Sequence, residues 1–379
     1  MKTKIYSASL SSLEASIQQL YDDFLQDFEE ADFFFFALSP DCDITKVNDT
    51  IFQIFHTKNF LAFHAVDSFF NVKIPGEGIT LLSIQFEKKG KISSFYIEDI
   101  TSQNALNQTA HYLNNNSDKF HIFIGGLCGG AISAFIEQIA QKLNYTSLNN
   151  IVGGISSGNL DAPEVLTYQF FDDKIIKNGF VIISFENVAY STGVSFGFKP
   201  YGITYEVTKA HGNKLYDIDD GKSASYMASK MLENVGTTDV RYLWYLPFAI
   251  FHKERGCIEH LRTIAHLDDK YIELFGPIQE GDFFKLSFAT YDDLLKEDTR
   301  IAREIIHMVR EPEIAFNFSC IARQYVLEEH QEQELQTYRD IFQTNLFGFF
   351  TFGEIGFDKA HKRLTFHNET SLITIMREL

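Results

Sequence analysis

The stretch that decides the fold lies near the C-terminal end of the chain. It reads Cys-Ile-Ala-Arg at 320–323, Gly-Phe-Phe-Thr-Phe-Gly-Glu-Ile-Gly at 348–356 and Thr-Phe-His-Asn-Glu-Thr at 365–370. Because apolar runs separate these polar groups, each group is predicted to lie at the end of a helix or strand. Polar side chains gathered at element ends on a rigid scaffold commonly form a ligand site. The candidate ligand-binding residues are Cys320, Arg323, Gly353, Glu354, His367, Asn368 and Thr370.

The same residues also fit a structural polar network, in which an arginine, a glutamate and a capping asparagine satisfy one another. If Arg323 pairs only with Glu354, both side chains are structural. If Arg323 faces a ligand, its guanidinium fork can hold the carboxylate of an amino acid or related metabolite. Glu354 or Asn368 would then receive an ammonium or amide group. The sequence leaves both interpretations open.

Three motifs in this stretch resemble a known family. The Cys-x-x-Arg at 320–323, the Gly-Glu-Ile at 353–355 and the His-Asn-x-Thr at 367–370 are similar to the ending of the FIST domain, a prokaryotic sensor family. The segments 151–158 and 193–224 resemble the end of its N-terminal half and the bridge between its halves.

The resemblance extends from about residue 30 to the end of the chain, with one departure. Where many members carry a Gly-Cys-Ser/Thr motif, this chain has Leu-Ala-Phe-His-Ala-Val-Asp-Ser-Phe-Phe at 61–70. Ligand contacts that the family makes there are not expected here.

The resemblance implies a cytoplasmic signal-transduction protein that binds a small ligand and signals in trans. The implied ligand is an amino acid or related carboxylate, or haem with nitric oxide. The implied partner is a histidine kinase, a chemoreceptor or a cyclic-di-nucleotide enzyme. No residue pattern identifies a cofactor, and a haem would use one histidine as its axial ligand, with His367 as the motif-matched residue.

Composition narrows the classes of function. The chain has 379 residues and a formal charge of -18, which disfavours binding to nucleic acid or to an anionic membrane surface. Its 38 phenylalanines and 17 tyrosines predict aromatic-rich cores. The N-terminus lacks the apolar segment of a signal peptide, and no apolar run has the length of a membrane span.

The spacing of the cysteines and histidines predicts neither a disulfide framework nor a zinc site. The four cysteines lie far apart and form no Cys-x-x-Cys pair, so a reducing compartment is predicted. Among the histidines, the group that lies closest together in the sequence matches no zinc spacing. That group comprises His252, Cys257, His260 and His266.

Cys320 supports an alternative function, an uncharacterised thiol enzyme. The residue follows a predicted strand at a helix start, where the helix dipole and Arg323 would lower the thiol pKa. With His367 as base and Glu354 as orienting group, it would complete a nucleophilic triad. A free cysteine at such a junction is, however, more often a small buried apolar residue.

The N-terminal part predicts alternating helices and strands. Apolar residues at helical spacing predict an amphipathic helix in residues 1–30, with Ser11 and Glu14 as a capping box. The run at Phe33–Phe36 predicts a buried strand that ends before Pro40. The glycine loop Gly125–Gly130 follows another strand but lacks the lysine and serine or threonine of a phosphate-binding loop, so a tight turn is predicted.

A change in composition near Gly236 predicts a domain boundary. The predicted units are the helix in 1–30, an N-terminal half in 31–236 and a C-terminal half in 237–379. Helices alternate with strands in both halves, so the predicted class is α/β or α+β with mixed sheets. Hairpin turns are predicted at Asp172-Asp173, Asn178-Gly179, Asp268-Asp269 and Glu280–Asp282.

Overall fold

The computed structural model describes residues 1–251, 258–359 and 361–379. Short 3-10 turns in these residues are Cys128–Gly130, Val240–Tyr245 and Glu328–His330. Their α-helices are α1 Leu13–Asp27, α2 Val47–Phe55, α3 Ala105–Asn115, α4 Ile132–Ala140, α5 Tyr145–Leu148, α6 Ala224–Val235, α7 Tyr291–Ile306, α8 Ile321–Leu327 and α9 Gln331–Phe342.

Strands account for more of the same residues than helices do. The N-terminal strands are β1 Lys2–Ser9, β2 Phe33–Leu38, β3 Phe60–His64, β4 Ser68–Phe70, β5 Gly78–Gln85, β6 Lys91–Ile97, β7 Phe120–Gly125, β8 Ile151–Ile155, β9 Gln169–Phe171, β10 Lys174–Ile176, β11 Phe180–Glu186 and β12 Val188–Ser195. The strands that follow are β13 Lys199–His211, β14 Lys214–Ile218, β15 Lys222–Ser223, β16 Phe248–Phe251, β17 His260–Arg262, β18 Ile264–Leu267, β19 Ile272–Leu274, β20 Phe283–Phe288, β21 Ile314–Cys320, β22 Leu346–Thr351, β23 Glu354–Asp358, β24 Arg363–His367 and β25 Ser371–Glu378.

The strands form four sheets in an α/β fold. The first sheet has the order β1-β5-β2-β3-β9-β10, the second β24-β23-β8-β7-β11-β6 and the third β12-β25-β21-β22-β4. The fourth runs β17-β16-β20-β13-β14-β19-β18, with β15 paired to β14. The mixed sheets confirm the predicted fold class.

The first three sheets share one motif, a parallel pair of central strands. These pairs are β2 with β3, β7 with β8, and β21 with β22. One or more helices connect the strands of each pair, as a parallel connection requires. The neighbouring strands in these sheets pair antiparallel. The fold therefore presents three sets of parallel carboxyl ends.

The strand β2 shows why the sequence forms such central pairs. Every residue from Phe33 to Leu38 is buried. Phe33 and Phe35 pack into one apolar core, whereas Phe34 and Phe36 pack into another. A strand buried on both faces needs a continuous apolar run rather than an alternating one.

Two of the four predicted hairpins are confirmed. The Asp172-Asp173 turn joins the antiparallel strands β9 and β10, and both residues have a positive φ. The Asp268-Asp269 turn likewise joins β18 and β19. Short polar turns between apolar runs predicted these two hairpins correctly because their strands pair locally.

The other two hairpins were predicted wrongly. The strand β11 after Asn178-Gly179 pairs with β6 and β7, and β20 after Glu280–Asp282 pairs with β13 and β16. The Asn-Gly segment packs on a distant loop, where the Ile100 amide donates to the Asn178 carbonyl at 2.9 Å. Long-range pairing therefore overrides the local turn signal.

The predicted units need two corrections. Residues 1–30 are not only a helix, because β1 precedes α1 and pairs along its whole length with β5. Helix α1 is capped by Ser12, whose side chain accepts from the Ala15 amide, and not by Ser11. In addition, the second and third sheets combine strands from both sides of residue 236.

Candidate functional site

The carboxyl ends of the three parallel pairs converge on one cleft, which we call the central cleft. In open α/β sheets, ligands bind in the crevice beyond the carboxyl ends of the strands. A residue that follows or lies just beyond the end of each parallel strand lines this cleft. In chain order these residues are Ser39, Val66, Leu127, Leu160, Ile321 and Phe352.

The central cleft consists of adjoining cavities that share wall residues. Its front and middle cavities each have a volume of about 390 Å³ and share Leu160, Asp161 and Arg241. A side cavity of about 310 Å³, which includes Cys128, shares Leu127 with the middle cavity. A terminal cavity of about 10 Å³ is lined by Trp244, Thr263, Phe275, Cys320, Ile321, Ala322, Phe352 and Asn368.

The middle and terminal cavities share aromatic wall residues. Trp244, Phe275 and Phe352 line both of them. The indole Nε1 of Trp244 donates to the Ile264 carbonyl at 2.8 Å, and its ring contacts Tyr325 edge to face at 4.8 Å. Trp244 is the single tryptophan of the chain, so its fluorescence reports on this wall alone.

Charged groups lie at the front of the cleft. Arg241 lines both the front and middle cavities and is held by Asp239 at 2.8 Å and Asp161 at 3.0 Å. The pKa of Arg241 is raised, chiefly by its hydrogen bond to Asp239. Asp41 and Glu77 line the front cavity as well. The front cavity thus offers one guanidinium and several carboxylates.

Arg323 does not lie in the cleft and does not pair with Glu354. Its guanidinium is fully buried and contacts Asp298 at 3.0 Å and Glu334 at 3.2 Å. Burial acts to lower the pKa of Arg323, but the two carboxylates outweigh it and raise that pKa. Tyr338 also donates to Asp298, at 2.9 Å. The structural interpretation of Arg323 therefore describes its contacts better than the ligand-binding one.

Glu354 forms a second buried network, with threonines. It accepts hydrogen bonds from Thr351 and from the Thr370 hydroxyl, the latter at 2.7 Å. Burial raises the pKa of Glu354 to about 8, although these hydrogen bonds act in the opposite direction. The preceding position requires a glycine, Gly353, because a Cβ there would lie 2.1 Å from the Phe366 ring.

The turn between β24 and β25 contains buried polar atoms without partners. His367 lies opposite Glu354 in the β23–β24 register, and burial lowers its pKa to about 4. Among the described residues, neither ring nitrogen of His367 nor Oδ1 of Asn368 has a hydrogen-bond partner of good geometry. Glu369 Oε2 also has none, and Glu369 has a positive φ of 59°.

Cys320 lies where the sequence predicted, between the end of β21 and the start of α8. Its backbone amide donates to the Thr370 carbonyl at 2.9 Å, which joins the two ends of the motif. Burial, with the carboxylates of Glu354 and Glu369, raises the thiol pKa well above 9. The described geometry therefore gives no support for an activated thiolate.

The predicted site residues thus divide into two groups. Cys320 and Asn368 line the terminal cavity of the cleft. The others are buried beside it in the networks or the turn just described, and line none of the four cavities. Those residues are Arg323, Gly353, Glu354, His367 and Thr370.

Comparison with known proteins places this architecture in a family. The model of the FIST N domain matches residues 32–221, about half of the chain, and that of the FIST C domain matches 229–357. The chain belongs to the FIST family. An uncharacterized protein of Aquifex aeolicus (strain VF5) is 28% identical over 264 residues, covering 68% of this chain and 97% of that relative. FIST domains are associated with sensory signal transduction.

A haem in the cleft of this FIST protein would need an axial ligand among the residues that line the cleft. An axial ligand must point its donor atom into the haem pocket. The described residues that line the front, middle, side and terminal cavities include no histidine, and His367 is fully buried beside them. The cleft residues therefore do not fit a histidine-ligated haem.

The described residues contain no cluster of three or more His, Cys, Asp or Glu side chains arranged for a metal ion. Of the histidine group weighed in the sequence, His252 and Cys257 lie outside the described residues. Among residues 1–251, 258–359 and 361–379, no helix is sufficiently long and apolar to cross a membrane.

Sequence reasoning missed the partners of Arg323 and the walls of the cleft. Asp298 and Glu334 lie on the buried faces of the amphipathic helices α7 and α9. An acidic residue on an apolar helix face is a signal for a buried cationic partner, and it could have been used. Arg241 and Trp244 lie in a short 3-10 turn, whose place beside the cleft follows only from tertiary packing.

Proposed function

We propose that this protein is a cytoplasmic sensor that binds a small amphiphilic molecule, an amino acid or related carboxylate, in the central cleft. The observation that carries the proposal is the convergence of six parallel strand ends on adjoining cavities with one guanidinium and several carboxylates. Pockets with an apolar lining and a few polar groups are the usual form of small-molecule sites.

The charges of the front cavity support an amino acid as the ligand. Arg241 can bind a carboxylate through the N–H groups that Asp161 and Asp239 leave unused. Asp41 or Glu77 in the same cavity can accept an ammonium group. An apolar side chain would then extend into the middle cavity towards Trp244 and Phe275. In this proposal Arg241, and not Arg323, binds the carboxylate of the ligand.

The proposal includes an output in trans. The cleft is bounded by loops from both family halves, so ligand binding would change their relative stability and present an altered surface to a partner. The partner that we propose is a histidine kinase, a chemoreceptor or a cyclic-di-nucleotide enzyme. Its regulation by the purified protein, with and without ligand, tests this part of the proposal.

The binding part is tested by a thermal-shift screen of amino acids and related carboxylates, followed by calorimetric titration. A ligand bound only to the folded state raises the melting temperature. Arg241→Ala should weaken carboxylate binding about tenfold or more, because a charge-assisted hydrogen bond is lost. Its effect on the free energy of unfolding should stay below about 1 kcal/mol, since exposed ion pairs contribute little.

Arg300→Ala is the matched control. Arg300 is a more exposed arginine on α7, with ion pairs to Glu297 and Glu304, and it lines none of the four cavities. Its replacement should leave ligand affinity unchanged. Two results would contradict the proposed site. Either both variants weaken ligand binding equally, or Arg241→Ala leaves the affinity for a carboxylate ligand unchanged.

A further inference from the structure

The terminal cavity combines a very small volume with an unused hydrogen-bonding atom. Its volume of about 10 Å³ is the space of one water-sized group. Oδ1 of Asn368, a wall residue that is 1% exposed, has no hydrogen-bond partner in the described part of the chain. Whichever amide atom occupies that position, its hydrogen-bonding capacity is unused. Buried polar atoms are rarely left so, because the loss of hydration is not offset.

The surroundings determine which group can fill the cavity. Trp244, Phe275 and Phe352 form much of its wall, so a charged ammonium group would lose most of its hydration there. The polar wall residues are Asn368, Thr263 and Cys320, and Asn368 carries an unpaired acceptor, Oδ1. Thr263 already donates to Glu369 at 2.8 Å. A neutral hydroxyl group is small enough for the cavity and can donate a hydrogen bond to Asn368 Oδ1.

We propose that the terminal cavity is a hydroxyl-recognition subsite of the central cleft. Asn368 is its specificity-determining residue, and the ligand class is a flat apolar body that ends in a hydroxyl group. The three rings shared with the middle cavity place the apolar body of such a ligand against aromatic faces. This inference rests on the proposed function, since it assigns the apolar end of the same ligand.

A site built around a hydrogen bond discriminates strongly against an analogue that lacks the hydroxyl, because the buried partner is then left unpaired. The probe pair is phenol and toluene, which have nearly the same shape and differ in one hydroxyl or methyl group. Binding is followed by the fluorescence of Trp244. The intact protein should bind phenol about tenfold or more tightly than toluene.

The matched variant is Asn368→Leu, which keeps the approximate size and removes both amide atoms. It should lose the preference for phenol and bind toluene at least as well as the natural protein does. Phenol and toluene of equal affinity in the natural protein would overturn the inference. An unchanged phenol preference in Asn368→Leu, or no response of Trp244 to phenol up to its solubility limit, would overturn it as well.

Arg241→Ala separates this inference from the proposed function. Phenol has no carboxylate, so Arg241→Ala should weaken phenol binding far less than amino-acid binding. A phenol preference without any amino-acid ligand would support the subsite and contradict the proposed function. A crystal structure with phenol gives the final check. Its hydroxyl should lie at Asn368 Oδ1, and a water retained there with phenol elsewhere would overturn the subsite.

Discussion

Arg323 and Asn368 belong to the same C-terminal motif set and are almost equally buried, yet their surroundings differ. Arg323 contacts Asp298 and Glu334 through charged hydrogen bonds, and only its Nε lacks a partner in the described residues. Asn368 lines a cavity with its Oδ1 unpaired. A largely satisfied network stabilises the fold, whereas an unpaired polar atom beside a cavity is available to bind a ligand.

The largest expected effect on stability comes from replacing Arg323, whose charged hydrogen bonds are largely satisfied. Arg323→Met would leave Asp298 and Glu334 buried without their counter-charge. We expect the free energy of unfolding to fall by about 3–5 kcal/mol, the usual result of removing one partner from a buried ion pair. Urea unfolding measures it, and Arg323→Met combined with Glu334→Gln should recover part of the loss. A loss below about 1 kcal/mol, as for an exposed pair, would contradict the structural role.

The second prediction concerns the pH dependence of stability. Burial raises the pKa of Glu354 to about 8, so the folded protein keeps a proton that the unfolded chain releases above its ordinary pKa of 4.5. At this group the unfolded state therefore binds fewer protons between pH 4.5 and 8, so the contribution of Glu354 to stability should fall as pH rises through that window. The slope from this group can reach about 1.4 kcal/mol per pH unit.

Glu354→Gln isolates this contribution, because glutamine does not ionise. In urea unfolding, the free energy of unfolding of the variant relative to that of the natural protein should rise with pH between 4.5 and 8. Glu297→Gln serves as the control, since Glu297 is a partly exposed partner of Arg300 on the surface. An identical slope in the natural protein and in Glu354→Gln would mean that Glu354 is ionised in the fold.

The smallest expected effect is a gain in stability and not a loss. Asn368→Leu removes a buried atom that has no partner, so stability should stay unchanged or rise by up to about 1 kcal/mol. Asn150 is an equally buried asparagine whose Nδ2 donates to the Ser117 and Lys119 carbonyls. Asn150→Leu should cost about 1–3 kcal/mol, since it leaves those carbonyls unpaired. A similar loss in both variants would show that Asn368 is structural.

Much of the fold could be predicted from the sequence because its signals are local. The apolar run at Phe33–Phe36 and the amphipathic pattern of α1 predicted their elements well. The motifs also placed Cys320 correctly at the junction of β21 and α8. The strand β1 was missed because it is held by pairing with β5, which lies some seventy residues away.

The candidate site was predicted less completely for the same reason. The sequence left open whether Arg323 pairs with Glu354 or faces a ligand, but each side chain has partners on elements that only the tertiary structure brings near. The cleft walls come from six separate strand ends and from the turn that holds Arg241 and Trp244. No periodicity or motif spacing connects such segments.

The most direct test of the central claim is the emission of Trp244 during titration with the tightest ligand from the amino-acid screen. Trp244 is the single tryptophan and lines both the middle and terminal cavities. The account predicts a saturable change in emission, with the dissociation constant obtained by calorimetry and a weaker constant in Arg241→Ala. Calorimetric binding that leaves the emission of Trp244 unchanged would contradict a ligand site in the central cleft.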